Sequence, residues 1–86
     1  MTLSVVIVVS VRQGIDEMDY TFELMFRGMM VGQGYGHGNS YIEAFETGMQ
    51  QGTINFQGIY QPDQFIDGYA TSSNGWTYHF EFTKRD

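Results

Sequence analysis

The chain contains no cysteine, only one proline and few basic residues among its 86 amino acids. Without cysteine it can form neither disulfide bonds nor thiolate zinc sites. This composition fits the reducing cytoplasm, where we expect the protein to be located. Ten acidic residues against four basic ones give a net charge of −6. The basic residues form no stripe that could follow a phosphate backbone, so direct binding of nucleic acid is not expected. They are Arg12, Arg27, Lys84 and Arg85.

Long apolar segments are also missing. The most apolar segment, residues 3–11, is shorter than the roughly 20 residues that a membrane-spanning helix needs. It also lacks the basic leader and the small-residue cleavage pattern of a secretory signal, so we expect no membrane association. A length of 86 residues predicts a single domain over residues 1–86.

Alternation of apolar residues predicts several strands. Residues 2–13 are apolar on one face and half apolar on the other, which is typical of an interior strand covered on both sides. A turn at residues 14–19 leads to a second strand, which begins at Tyr20 and continues into the glycine run. Residues 53–60 form a third predicted strand. The last two, residues 64–72 and 76–83, pair through Ser73-Asn74-Gly75, because Asn-Gly is a strong hairpin signal.

A helix is predicted between the second and third strands. Ser40 and Glu43 have the spacing of a capping box, and Gly52 occupies the position of a left-handed C-terminal cap. Every second residue from 32 to 38 is glycine, so one side of the preceding strand is bare backbone. We expect this bare side to lie close to Gly48 of the helix. The apolar stripe of the helix comprises Tyr41, Ile42, Phe45, Gly48 and Met49.

The predicted fold is α+β, with the order β-β-α-β-β-β and a single curved antiparallel sheet that has one helix packed on one face. Strands spaced about 4.8 Å apart make a five-stranded sheet about twice as wide as a helix of about 10–12 Å diameter. Either the sheet curls strongly, or a second copy or another protein covers the remaining apolar surface. We expect a homodimer or a protein partner. The predicted interface residues are Val6, Val8, Met25, Met29 and Val31.

Groups that could carry catalysis are few. The two histidines, His37 and His79, lack the spacing of metal ligands, and no serine has a recognisable base beside it. We therefore predict no catalytic residue, metal or cofactor, and no enzymatic activity. An alternative function is the binding of a nucleotide or another anion by residues 32–40, because backbone amides and a helix N-terminus attract anions. The predicted binding residues are Gln33, Tyr35, Gly36, His37, Gly38 and Ser40.

A second alternative is an acidic mimic of nucleic acid, with Asp16, Glu17 and Asp19 as the acidic patch. Residues 36–44, Gly-His-Gly-Asn-Ser-Tyr-Ile-Glu-Ala, resemble the passage from strand to helix in small antitoxin-like domains of the HicB type, from which we carry over no function. In size and acidity the chain is similar to virus-encoded inhibitors of bacterial defence or host enzymes. The first prediction is a non-enzymatic protein-binding module, a viral or bacterial inhibitor or adaptor of a host or defence protein. It would act through an apolar sheet face and the glycine-rich loop.

Overall fold

A computed structural model describes residues 2–13, 18–66, 68–73 and 75–85, which form one curled seven-stranded sheet with one α-helix. The helix α1 spans Tyr41–Gln51, and a short 3-10 turn spans Gly58–Tyr60. The predicted α+β class with a single curved sheet is confirmed. The strands are β1 (Thr2–Gln13), β2 (Met18–Phe26), β3 (Met29–His37), β4 (Ile54–Phe56), β5 (Gln64–Ile66), β6 (Tyr69–Thr71) and β7 (Thr77–Arg85).

The strand order in the sheet is β4-β3-β2-β1-β7-β6-β5. β1 is therefore an interior strand, as predicted, and it pairs antiparallel with β2. The predicted turn at residues 14–19 lies largely outside the described residues. The sheet is mixed rather than wholly antiparallel, because β1 and β7 pair in parallel from Thr2↔Thr77 to Ser10↔Arg85. A short hairpin cannot join parallel strands. Here the rest of the chain, helix included, connects the two.

Hairpins divide two of the predicted strands. Arg27 and Gly28 have φ angles of 51° and 79°, a combination typical of a two-residue turn between antiparallel strands. They separate β2 from β3, although Arg-Gly is not a strong hairpin sequence. Residues 64–72 likewise form β5 and β6, with Gly68 at φ 87° between them, and Asp-Gly in the sequence is the signal for that turn. The third predicted strand is also shorter than expected, since its second half is the 3-10 turn.

The core lies on one face of the sheet, beneath α1. The sheet curls so far that rings of distant strands meet. The centroids of Phe56 in β4 and Phe80 in β7 are 6.0 Å apart, although β3, β2 and β1 lie between these strands in the sheet. Strong curling therefore accounts for the coverage of this face by one helix. The largest fully buried side chains are Tyr78, Phe22, Phe45, Ile7, Leu24, Val5, Val9 and Val31.

The helix ends lie where the sequence predicts them. The Ser40 hydroxyl accepts a hydrogen bond from the Glu43 amide at 3.2 Å, and Gly52 is left-handed at φ 75°. In the predicted apolar stripe, Tyr41 packs on the Phe82 ring although it is 39% exposed. Ile42 is exposed, and Ala44 is buried in addition to Phe45 and Gly48. Within the described residues, no helix is long and apolar enough to cross a membrane.

Tyr78 is expected to make the stability of this core depend on pH. Burial raises the pKa of its phenol above the ordinary value of 10.0, and Tyr60 raises it further. The folded state thus holds this proton more tightly than the unfolded chain does. The resulting stabilisation is complete below about pH 10 and is lost as the pH rises through the folded-state pKa. We expect the free energy of unfolding, measured with urea, to fall above about pH 10. In Tyr78→Phe the free energy of unfolding should decrease less steeply with pH. An unchanged pH dependence in this variant would mean that other groups cause the decrease.

Candidate binding surface

The glycine run forms most of β3 and faces the core. Gly36 pairs with Tyr20, and Gly34 pairs with Phe22, so the glycines lie beside the aromatic face of β2. The two-residue turn before β3 pairs even-numbered residues of β2 with odd-numbered residues of β3. A bulge opposite Leu24 and Met25 adds one residue to β3, and beyond it even-numbered residues pair with even-numbered ones. The combination keeps the bare side of β3 on the core face, as the alternation in the sequence predicts.

Protein backbone fills the space over this glycine face. A Cβ atom on Gly36 would overlap the carbonyl of Ala44 in α1, and one on Gly34 would overlap the backbone at Thr53. From the other side, a Cβ on Gly48 would lie 2.7 Å from the carbonyl oxygen of Tyr35. The predicted close approach of helix and strand is confirmed. Protein backbone thus occupies the part of the glycine face at Gly34 and Gly36. The anion-binding alternative also uses the helix N-terminus, and it stays a prediction.

The other predicted loop residues lie on the opposite side of β3. Gln33, Tyr35 and His37 are exposed, and the His37 Nδ1 atom lies 3.1 Å from the Asp19 carboxylate. Gly38 is half-buried against α1, and Ser40 is occupied as the helix cap. Of the predicted acidic patch only Asp19 is described, since residues 16–17 lie outside the described ranges. The acidic mimic therefore stays a prediction.

The side of the sheet opposite the core, which we call the outer face, is covered by none of the described elements. Its centre is apolar. Val6 of β1 pairs with Met25 of β2, which in turn pairs with Met30 of β3, and Val8 follows on β1. Val6, Val8 and Met25 are half-buried, and Met30 is 41% exposed. The prediction that β1 is covered on both sides is therefore wrong for the isolated chain.

Two of the predicted interface residues do not belong to the outer face. Val31 is 0% exposed, because it is the extra residue of the β3 bulge and its side chain joins the core. Met29 pairs with Phe26 across the turn, which places it on the core-facing side at the end of the sheet. Simple alternation missed both shifts. Met30 takes the place that the sequence pattern assigns to Met29, because a two-residue turn pairs odd with even positions.

Polar residues border the apolar centre. The Arg85 guanidinium lies 3.3 Å from the Glu23 carboxylate. Glu81 of β7 pairs with Val6 of β1, on the side of β1 away from β2. Towards β5 the outer face becomes apolar again, where Tyr69 stacks on His79 with centroids 4.8 Å apart. Ile66 beside Tyr69 is 66% exposed. The sequence places Ile66 on this side of the sheet, and the β5–β6 hairpin brings Tyr69 beside it.

The concave regions of the described surface show no recognisable chemistry. One of about 450 Å³ lies beside β2 and β3 and includes Glu23, Gln33 and Tyr35 in its lining. Another, of about 410 Å³, lies between α1 and β5, and its lining includes Glu46, Asp63, Phe65 and Met49. Across the described ranges, no three His, Asp or Glu side chains are grouped as metal ligands. The uncovered apolar centre of the outer face is thus the surface feature on which a functional argument can rest.

Comparisons of the chain with protein-family models, with curated proteins and with solved structures found no match. The likeness of residues 36–44 to antitoxin-like domains remains local, and the functional argument rests on the geometry of the sheet.

Proposed function

We propose that this chain is a non-enzymatic protein-binding module and that its outer face is the contact surface. The observation that carries the proposal is the uncovered face of a seven-stranded sheet, with Val6, Met25 and Met30 side by side across three strands. Exposed apolar groups of this kind on a water-soluble surface are typical of interaction sites. Methionine side chains adapt easily to the shape of a partner.

The distribution of polar residues supports the same proposal. Protein interfaces commonly have an apolar centre and a polar, solvent-accessible rim. Here the rim includes the Glu23–Arg85 pair, Glu81 and Gln33. With a net charge of −6, the chain would associate fastest with a partner whose own rim is basic.

The role of a small viral or bacterial inhibitor or adaptor is part of this proposal. It fits a chain that binds through a surface and has no recognisable catalytic group. The cytoplasmic location stays a prediction, because no described residue tests it. The homodimer also stays a proposal, and its contact surface is argued in the next subsection.

The experiment places a charge at the centre of the outer face. Met25→Lys should abolish capture of a stoichiometric partner from a bacterial lysate, because a lysine there would be desolvated by the partner. Gln51→Lys is the matched control, since it adds the same charge at an exposed position of α1. Circular dichroism and melting curves establish that both variants fold.

Quantitative mass spectrometry of the captured proteins provides the readout. We expect the wild-type chain and Gln51→Lys to retain the same partner, and Met25→Lys to lose it by about tenfold or more, as at an interface hot spot. Equal retention by all three proteins would contradict a role for the outer face. Failure of the wild-type chain to retain any partner from bacterial or host lysates would contradict the proposed function itself.

A further inference from the structure

Along the second half of β7, one edge has no described strand beside it. β6 pairs with Thr77, Tyr78 and His79 only, and the Phe80 amide donates to the Gly68 carbonyl at 2.7 Å. Beyond Phe80, no described strand pairs with residues 81–85 on that side, while β1 pairs with them on the other. The edge strands β4 and β5 are shorter, so this is the longest strand edge that the described residues leave open.

The direction of the backbone groups along this edge follows from the bonds already formed. The Phe80 amide points to Gly68, and the Trp76 carbonyl accepts from the Ser72 amide at 3.0 Å. Even-numbered residues of β7 therefore direct their N–H and C=O groups away from β1. Phe82 and Lys84 present these groups at the open edge, which is a template for another strand.

We propose that a second copy of this chain pairs with residues 81–85, antiparallel and about a two-fold axis at Thr83. In that register Phe82 and Lys84 of one copy exchange backbone hydrogen bonds with Lys84 and Phe82 of the other. The same register places Glu81 directly opposite Arg85 of the second copy, and Arg85 opposite Glu81. The order of charges along β7 is thus complementary to itself, which favours a second copy over an unrelated strand.

The charges at this edge are able to form the cross-strand pairs. Glu81 has no ion-pair partner within the described residues, and it is exposed. Arg85 is also exposed, and its contact with Glu23 uses one nitrogen, Nη1. A guanidinium has five N–H donors, so Arg85 can bind Glu23 and Glu81 of the second copy together.

Apolar surface beside the edge adds to the contact. The Tyr41 ring lies 5.1 Å from the Phe82 ring and is 39% exposed, and Ile42 next to it is exposed as well. A two-fold axis at Thr83 brings the start of α1 in each copy towards its counterpart. Paired strands of this length bury little area by themselves, and stable interfaces bury about 1,200 Å² or more. We therefore expect a weak, concentration-dependent dimer to which Tyr41 and Ile42 contribute.

Glu81 and Arg85 also belong to the rim of the outer face, but its apolar centre at Val6, Met25 and Met30 takes no part in the edge pairing. Failure of this inference and failure of the proposed function are therefore distinguishable. Edge pairing would leave the outer face open and extend it across both copies. Sedimentation equilibrium of the purified chain measures the dimer alone, without any partner.

The decisive experiment is a charge-reversal cycle with Glu81→Arg, Arg85→Glu and the double reversal. All proteins carry Glu23→Gln, which removes the contact between β2 and Arg85 within one copy. Each single reversal turns both attractive pairs into repulsive ones, so we expect the dissociation constant to rise about tenfold or more. The double reversal restores opposite charges in both pairs, so its dissociation constant should be close to that of the Glu23→Gln protein. If both single reversals weaken dimerisation and the double reversal does not restore it, the proposed register is wrong.

A second pair of variants tests the backbone hydrogen bonds. Lys84→Pro removes an amide at the open edge and leaves the pairing of β7 with β1 intact, because that amide points away from β1. Lys84→Ala removes the charge and keeps the amide. We expect dimerisation to be lost in Lys84→Pro and retained in Lys84→Ala, with unchanged circular dichroism. A chain that stays monomeric at millimolar concentration, or a dimer indifferent to Lys84→Pro, would overturn the proposal.

Discussion

Gly36→Ala is expected to lower the free energy of unfolding by about 3 kcal/mol, the upper part of the range for overpacking a filled site. The added methyl group would overlap the carbonyl of Ala44 in α1. The position of the Cβ atom is fixed by the backbone of β3, and the carbonyl belongs to the backbone of α1. No side-chain rotation can therefore relieve the overlap, and α1 has to move away from β3. That movement would also loosen the packing of Phe45 beneath the helix. Urea unfolding followed by circular dichroism measures the loss.

Gly52→Ala is the control for the general effect of replacing a glycine. Gly52 has φ 75°, and a Cβ atom there would meet no heavy atom within 4 Å. Only the left-handed backbone then costs energy, about 1 kcal/mol. If Gly36→Ala loses no more free energy of unfolding than Gly52→Ala does, the close packing of α1 on β3 is contradicted.

Phe45→Ala is expected to cost about 3–5 kcal/mol, the range for removing a buried ring. Phe45 is fully buried at the centre of the core. Its centroid lies 5.1 Å from that of Phe22, 4.9 Å from that of Phe65 and 5.2 Å from that of Phe80. A domain of this length has a total stability of about 4–13 kcal/mol. The variant should therefore be largely unfolded or close to it.

Two further variants of α1 test whether the stability lost in Phe45→Ala comes from the packing of the Phe45 ring against its aromatic neighbours. Phe45→Leu keeps an apolar side chain and should remain folded with a smaller loss, which allows measurement by urea unfolding. Ile42→Ala changes an exposed position of the same helix and should cost less than about 0.5 kcal/mol. Similar losses at positions 42 and 45 would show that α1 is oriented differently on the sheet.

The features that the sequence predicts correctly depend on residues close together in the chain. Ser40 caps α1 through an amide three residues away, and Gly52 ends the helix through its own backbone angle. Local alternation also places the glycines of β3 on one side and predicts their contact with the helix. The sequence reveals these features because each depends on residues within one helical turn or within one strand.

The errors in assigning side chains to a face involve strand pairing that is shifted by a single position. Val31 is moved into the core by a bulge, and the Arg27–Gly28 turn exchanges the roles of Met29 and Met30. A shift by one residue reverses the face of every following side chain. Alternation cannot reveal such a shift, because the pattern looks the same before and after it.

The amino-acid pattern alone specifies that this chain combines apolar strands with one capped helix and that the glycine strand lies against that helix. The parallel pairing of β1 with β7, the curl that brings Phe56 to Phe80 and the open edge at residues 81–85 follow from the assembled sheet. These features join residues far apart in sequence. Their free energy depends on which surfaces the whole fold leaves free to meet, and no short stretch of sequence contains that information.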